Sequence, residues 1–336
     1  MNFTEKLRNT AQKNRSLLCV GLDPDPEMMP KKVGLFNFNK AIIDATSDLV
    51  CAYKLNLAFY EAQGDEGLDA LKRTIKCIPD DIPVIGDGKR GDIGNTAKAY
   101  ARAIFSNFNF DATTVNPYLG FDSIEPFIRY TEKGIFILCR TSNAGAVDFQ
   151  SLRCETELGY RSLFEIVALK ASQWNTYSNI GLVIGATYPE ELRLIRESHL
   201  DMPILIPGVG AQGGDLDLAV RYGADAQGER AIINSSRQII YASRGKDFPQ
   251  AARRAATELR DQINYYRSAT HQEKMVMEIR LGDVVRLKKK HPCGSYEWQV
   301  VRLGADIGIK CLKCQHYLFL ERSVFERRVS AFVSRG

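Results

Sequence analysis

Between positions 87 and 96 the sequence reads Asp-Gly-Lys-Arg-Gly-Asp-Ile-Gly-Asn-Thr, which sets an ammonium, Lys89, between two carboxylates, Asp87 and Asp92. Side chains two apart on an extended strand share a face, so Asp87 and Lys89 project together, while Asp92 lies beyond a turn. A second lysine, Lys54, comes near the end of a short apolar run at 50–56. Gathered at one mouth, two lysines and two aspartates form an alternating array in which each charge keeps its neighbour ionised. Taken alone, a D-x-K-x-x-D run is ordinarily a solvated surface turn. Its weight here comes from position, at the end of one strand with a lysine from the preceding strand beside it.

The elements that must hold these residues are short and regularly spaced. Eight β-rich runs, at 16–22, 50–56, 83–87, 112–116, 135–141, 180–186, 203–207 and 231–235, are each followed by an amphipathic stretch of helix length. Repeated βα units predict an α/β protein with a parallel sheet. Several runs are apolar almost throughout rather than alternating, as parallel strands covered by helices require. Eight units predict closure into a (β/α)8 TIM barrel, whose chemistry sits where strands end and loops begin. Those ends read GLDPD, YKLN, GDGKRGDIGNT, VNPY, RTSN, GAT, PGVGAQGG and INSSR, a dense set of polar and glycine-rich termini.

With 336 residues, 45% hydrophobic and 25% charged, the chain suits such a barrel of roughly 250 residues plus one small domain. The expected division is a barrel over 1–270, a linker over 271–275 at the end of the polar, aperiodic text RSATHQEK, and a small β-rich domain over 276–336. No apolar run approaches the roughly 18 residues of a membrane span, and a cytoplasmic protein is expected. Five cysteines, at 19, 51, 77, 139 and 154, stand singly and read as reduced, partly buried thiols. Residues 276–336 carry 12 Lys and Arg against 6 Asp and Glu, so any acidic partner belongs to the tail.

Four segments taken together resemble the orotidine 5′-phosphate decarboxylase family, most of all its longer bacterial branch. They are the D-x-K-x-x-D-I-x-x-T run, Tyr53-Lys54-x-Asn56-Leu-Ala-Phe-Tyr, Pro207-Gly-Val-Gly-Ala-Gln212-Gly-Gly and Asn234-Ser-Ser-Arg237, in order along residues 1–270. The resemblance implies a cofactor-free enzyme of pyrimidine biosynthesis that converts orotidine monophosphate to UMP. It implies that Asp87 presses on the substrate carboxylate, that Lys89 stabilises and protonates the C6 carbanion, and that Lys54 keeps the array in register at the ribose. Asp23 would bind ribose hydroxyls, while Asp92 and Thr96 would reach into the neighbour's site of a homodimer. Loops after the seventh and eighth strands of such barrels cradle phosphate with backbone N–H groups, which here assigns Gly208, Gly210, Gln212, Gly213, Ser236 and Arg237. Ser142, in Thr141-Ser142-Asn143, is the choice for reading the pyrimidine edge, although a satisfied turn accounts for that tripeptide almost as well. Leu55 and Ala144 stand where many relatives have proline, which alters loop stiffness and not the reacting groups.

The nearest alternative is the related class of metal-dependent sugar-phosphate decarboxylases and aldolases, which shares D-x-K-x-x-D. Those enzymes need a carboxylate where Lys54 stands, and a cation there repels a metal. In the tail, His291, Cys293, Cys311 and Cys314 give a C-x17-C-x2-C spacing with a histidine beside it. Three thiolates and an imidazole make a tetrahedral structural zinc set; the competing reading is three reduced cysteines in a small core. The tail also resembles a small bacterial domain carrying G-D-V-V-x-L, H-P-C-G and G-A-D-I, a likeness that supplies no activity. Its aromatics Tyr296, Trp298, Tyr317 and Phe319, interleaved with Lys288–Lys290 and arginines, would suit single-stranded nucleic acid. The favoured reading of that pattern is a barrel core with a solvated basic face.

Overall fold

A computed structural model describes residues 1–156, 159–210, 213–274, 279–304 and 306–336. The chain divides into two compact units, Met1–Thr270 and His271–Gly336.

The first unit is built on eight parallel strands: β1 (Leu18–Gly21), β2 (Ala52–Asn56), β3 (Val84–Arg90), β4 (Ala112–Val115), β5 (Gly134–Arg140), β8 (Ile180–Ile184), β9 (Ile204–Ile206) and β10 (Ala231–Ser235). They close in the order β1-β10-β9-β8-β5-β4-β3-β2, the expected TIM barrel. The two intervening strands, β6 (Arg153–Thr156) and β7 (Gly159–Ser162), form an antiparallel hairpin in the long loop after β5. Register fixes the mouth. Gly21 pairs with Lys54, Asn56 with Asp87 and Val20 with Ser235, so the polar ends of β1, β2, β3 and β10 stand side by side.

Alternation splits the apolar residues into two layers. Cys19, Ala52, Ile85, Ala112, Phe136, Val183, Leu205 and Ile232 point inward and fill the barrel, with Phe3 and Leu7 of the helix Phe3–Lys13 packed against them. Phe3 meets Phe136 edge-on at 5.6 Å, closing the end opposite the mouth. That helix starts on a capping box, Asn2 and Glu5 each bonding the other's backbone N–H. The larger outer layer packs between strands and helices. Each such side chain contributes about 1.5–3 kcal/mol on burial, which lets the mouth hold polar groups that the fold would otherwise not tolerate.

A helix runs Phe248–Lys274 and enters the expected linker. Residues 271–274 are helical. RSATHQEK contains no glycine or proline, its Ala, Gln, Glu and Lys are good helix formers, and extending an existing helix avoids the cost of nucleation.

The second unit is a five-stranded antiparallel sheet of order β14-β13-β12-β11-β15: β11 (Val284–Leu287), β12 (Glu297–Arg302), β13 (Asp306–Cys311), β14 (Tyr317–Glu321) and β15 (Val329–Ser334). Period-two alternation sends Trp298, Val300, Ile307, Ile309 and Cys311 to one face, where they pack with Val285, Leu287 and Phe325. Among the described residues no helix is long and apolar enough to cross a membrane.

Candidate active site

At the mouth of the barrel, β3 delivers Asp87 and Lys89, and β2 delivers Lys54. Lys54 Nζ lies 2.9 Å from Asp87 Oδ2, and Lys89 Nζ lies 2.7 Å from Asp87 Oδ1. From β4, Thr114 Oγ1 donates to Asp87 Oδ1 at 2.8 Å and accepts the Lys89 backbone N–H at 3.0 Å. One carboxylate therefore receives three donors. The Lys89 backbone is left-handed, with φ of +47°, a conformation costing a non-glycine residue about 1–2 kcal/mol. Thr114 holds it there, aiming the ammonium back across the mouth.

Burial decides the electrostatics. Asp87 is 8% exposed and Lys54 5%. Desolvation alone would push the Asp87 carboxyl up, but the Lys54 and Lys89 ammonium groups outweigh it and hold the acid below the ordinary carboxylate range. Desolvation likewise works against charge on Lys54, and Asp87 and Asp23 reverse it, so its pKa stands above the usual value for lysine. Asp23 in turn accepts the Asn56 backbone N–H at 3.1 Å. Lys54 is thus a fixed buried cation paired with Asp87 and attracted by Asp23, while Lys89, also paired with Asp87, is exposed at the mouth.

These groups line a cavity of about 670 Å³, within the size range of small-ligand sites. Asp23, Lys54, Asp87, Lys89, Ser142, Gly208, Ser236 and Arg237 all line it. At one side β1 and β10 approach so closely that a Cβ on Gly21 would lie 2.7 Å from Ser236 Cβ. Gly208 and Gly210 have φ of +92° and +78°, which leaves backbone N–H groups unobstructed by side chains. Arg237 is exposed beside them, its guanidinium without a protein partner among the described residues. Gln212 lies outside the described residues. Asp92 and Thr96 do not line the cavity of their own chain; Asp92 Oδ1 accepts the Ile93 N–H at 2.8 Å, and Thr96 is exposed on the helix Gly94–Arg102.

The structure adds residues that the sequence reading passed over. Gln150 lies in the loop after β5, where its side chain accepts the Thr141 N–H and donates to Thr141 Oγ1, both at 2.8 Å. Thr141 Oγ1 also donates to Asn143 Oδ1 at 2.6 Å, so Gln150 braces the tripeptide that presents Ser142. Behind it sits Arg140, 2% exposed, with its guanidinium 3.6 Å from the Tyr188 ring centroid. Asn56, Thr114, Asn234, Gln238 and Tyr241 also line the cavity. Thr114 and Asn234 could have been found as polar residues ending apolar strands; Gln150 had no periodic element to mark it. In the second unit, His291, Cys293, Cys311 and Cys314 offer ligand atoms all within 4.8 Å of one another.

Comparison with known proteins shows the family. Residues 16–255 match the model of the Orotidine 5′-phosphate decarboxylase / HUMPS family. The chain belongs to the orotidine 5′-phosphate decarboxylase family. A decarboxylase of that name from Dehalococcoides mccartyi is 55% identical over 267 residues, covering 80% of this chain and 99% of the relative. One from Ralstonia pickettii is 50% identical over 277 residues, covering 80% and 100%. Among solved structures, Leishmania donovani OMP decarboxylase superposes with a TM-score of 0.70 at 40% identity, covering 80% of this chain and 99% of that one. Residues 279–333 match a family described as a bacterial protein of unknown function (DUF951). As a family member the enzyme is a carboxy-lyase that makes UMP from orotidine 5′-phosphate and needs no cofactor for it.

Proposed function

We propose that the clasped Asp87–Lys54–Lys89 array performs the decarboxylation, with each residue in a separate role. Substrate enters with its phosphate on Arg237 and the Gly208 and Ser236 backbone, its ribose at Asp23 and Lys54, and its pyrimidine edge at Ser142. Its carboxylate then lies against Asp87. Because two ammonium groups hold Asp87 ionised, the acid cannot relieve the like-charge contact by taking a proton. Cleavage releases carbon dioxide, and the electron pair of the broken bond stays on C6. Lys89 moves from Asp87 to C6, stabilises that pair and gives it a proton; water then reprotonates the amine. The observation that carries this reading is the single carboxylate held between one buried and one exposed lysine, at 2.9 and 2.7 Å.

Lys54 also bears on the metal-dependent alternative. Its ammonium occupies the place where that class needs a carboxylate, and it is bonded to Asp87. Two finer points belong to the same proposal. The active unit is a homodimer in which Asp92 and Thr96 serve the partner's cavity, supported by their placement away from their own. The enzyme works in the cytoplasm, a reading supported by eight free cysteines.

The test is Lys89→Ala, assayed for turnover by loss of orotate absorbance and for UMP affinity by calorimetry. Turnover should be lost while UMP still binds, because the phosphate and ribose contacts belong to other residues. Turnover at the wild-type rate removes Lys89 from the mechanism.

A further inference from the structure

We propose that His291, Cys293, Cys311 and Cys314 bind one zinc ion, whose role is to fasten the β11–β12 connection to the β13–β14 turn. The decarboxylase reading plays no part in this. The four ligands arrive as two pairs on two tight turns. In the first, His291 N–H donates to Ser295 O at 2.9 Å and Gly294 N–H to His291 O at 2.8 Å, with Gly294 at φ +92°. In the second, Cys311 N–H donates to His316 O at 2.8 Å and Gln315 N–H to Cys311 O at 3.0 Å, with Gln315 at φ +63°.

The spacing suits a tetrahedron. Zinc bonds of about 2.3 Å to sulfur and about 2.0 Å to nitrogen put neighbouring ligand atoms roughly 3.5–3.8 Å apart. Cys293 Sγ and Cys311 Sγ are 3.6 Å apart, as are Cys314 Sγ and His291 Nδ1. His291 Nδ1 and Cys293 Sγ, at 3.0 Å, share a thiol hydrogen bond that an ion would replace. The sulfurs are not disulfide-bonded. Three thiolates and one imidazole select a soft ion with tetrahedral preference. Four protein ligands leave no position for water or substrate, which makes the site structural and not catalytic.

The packing explains why the second unit needs a staple. Its core holds eleven buried residues among those described, and a domain this small rarely gains more than about 3–5 kcal/mol from a core alone. The metal end is tied into that core through Cys311, fully buried, and His291, whose ring stands edge-on to Trp298 at 4.9 Å. Among the described residues no other group of three or more potential ligands is so placed.

The experiment uses the full chain, purified without chelator. Elemental analysis should find one zinc per chain, retained in Cys154→Ser and lost in the double variant Cys311→Ser, Cys314→Ser. Since the double variant could lose metal by unfolding, the wild-type ligand set is also read directly. Cobalt(II) added to metal-stripped wild-type protein should give the intense thiolate charge-transfer absorption of a tetrahedral sulfur-rich site. Iodoacetamide should label Cys293, Cys311 and Cys314 only after chelation. Zinc unchanged in the double variant, cobalt without charge-transfer absorption, or a protein mass showing a disulfide among these cysteines would each overturn the proposal.

Discussion

Replacing Lys54 with methionine keeps most of the volume of the side chain and deletes its charge, which isolates the part played by the buried cation. Unit charges 2.9 Å apart attract by about 6 kcal/mol at an effective dielectric near 20. Part of that attraction only offsets the desolvation of the two groups, so the net cost of leaving Asp87 without this partner is about 3–5 kcal/mol. If half of that loss falls on the transition state, kcat/KM drops by roughly ten- to seventyfold, at 1.4 kcal/mol per decade. The pH dependence gives a sharper signature. In the native enzyme Asp87 lies below the ordinary carboxylate range, so its contribution to stability is complete above the unfolded pKa and is lost only as pH falls through the depressed folded value. Without Lys54, Lys89 is the one cation left to oppose desolvation, beside the Thr114 hydrogen bond, and the Asp87 pKa rises. The acid limb of kcat/KM should therefore move to higher pH, and acid denaturation should begin at higher pH. Orotate absorbance followed from pH 4 to 8 measures the first, and circular dichroism the second. Wild-type kcat/KM with an unmoved acid limb would refute the reasoning, because the array would then not depend on its buried cation.

Arg237→Ala should lower kcat/KM by roughly 10–100-fold, the range of one charge-assisted hydrogen bond, mostly through KM; steady-state kinetics that match the wild type would place the phosphate elsewhere. For the shared site, Asp92→Ala mixed with Lys89→Ala should regain activity although each alone is nearly dead. Random pairing puts half the chains in heterodimers with one intact site, which gives about a quarter of wild-type activity. Heterodimers confirmed by mass that remain inactive would show that Asp92 acts within its own chain.

The strands were legible because they recur at regular spacing and several are nearly unbroken apolar runs; all eight barrel strands overlap the expected runs. Their ends were less so, and β3 continues to Arg90 because Asp87 and Lys89 extend the strand as polar residues at the mouth. The β6–β7 hairpin was not anticipated, since in a half-exposed excursion over Arg153–Ser162 neither face is apolar enough to announce a strand. Asp87 and Lys89 do meet, although through a left-handed Lys89 backbone and not an extended one, and alternation could not reveal that Thr114 joins them, because that contact depends on the β3–β4 register. Gln150 escaped for a related reason: it works through the backbone of Thr141, and nothing in local sequence reports such a contact. The final helix runs into the expected linker, as far as Lys274, because polarity without a breaking residue does not end a helix.

The most direct measurement of the central claim is conversion of orotidine monophosphate by the purified full chain in excess EDTA, following substrate loss with UMP and carbon dioxide gained. Cofactor-free decarboxylation by the charge array predicts one UMP and one carbon dioxide per substrate consumed, at a rate the chelator does not change. No substrate loss at micromolar enzyme, or turnover abolished by EDTA and restored by a divalent cation, would contradict it.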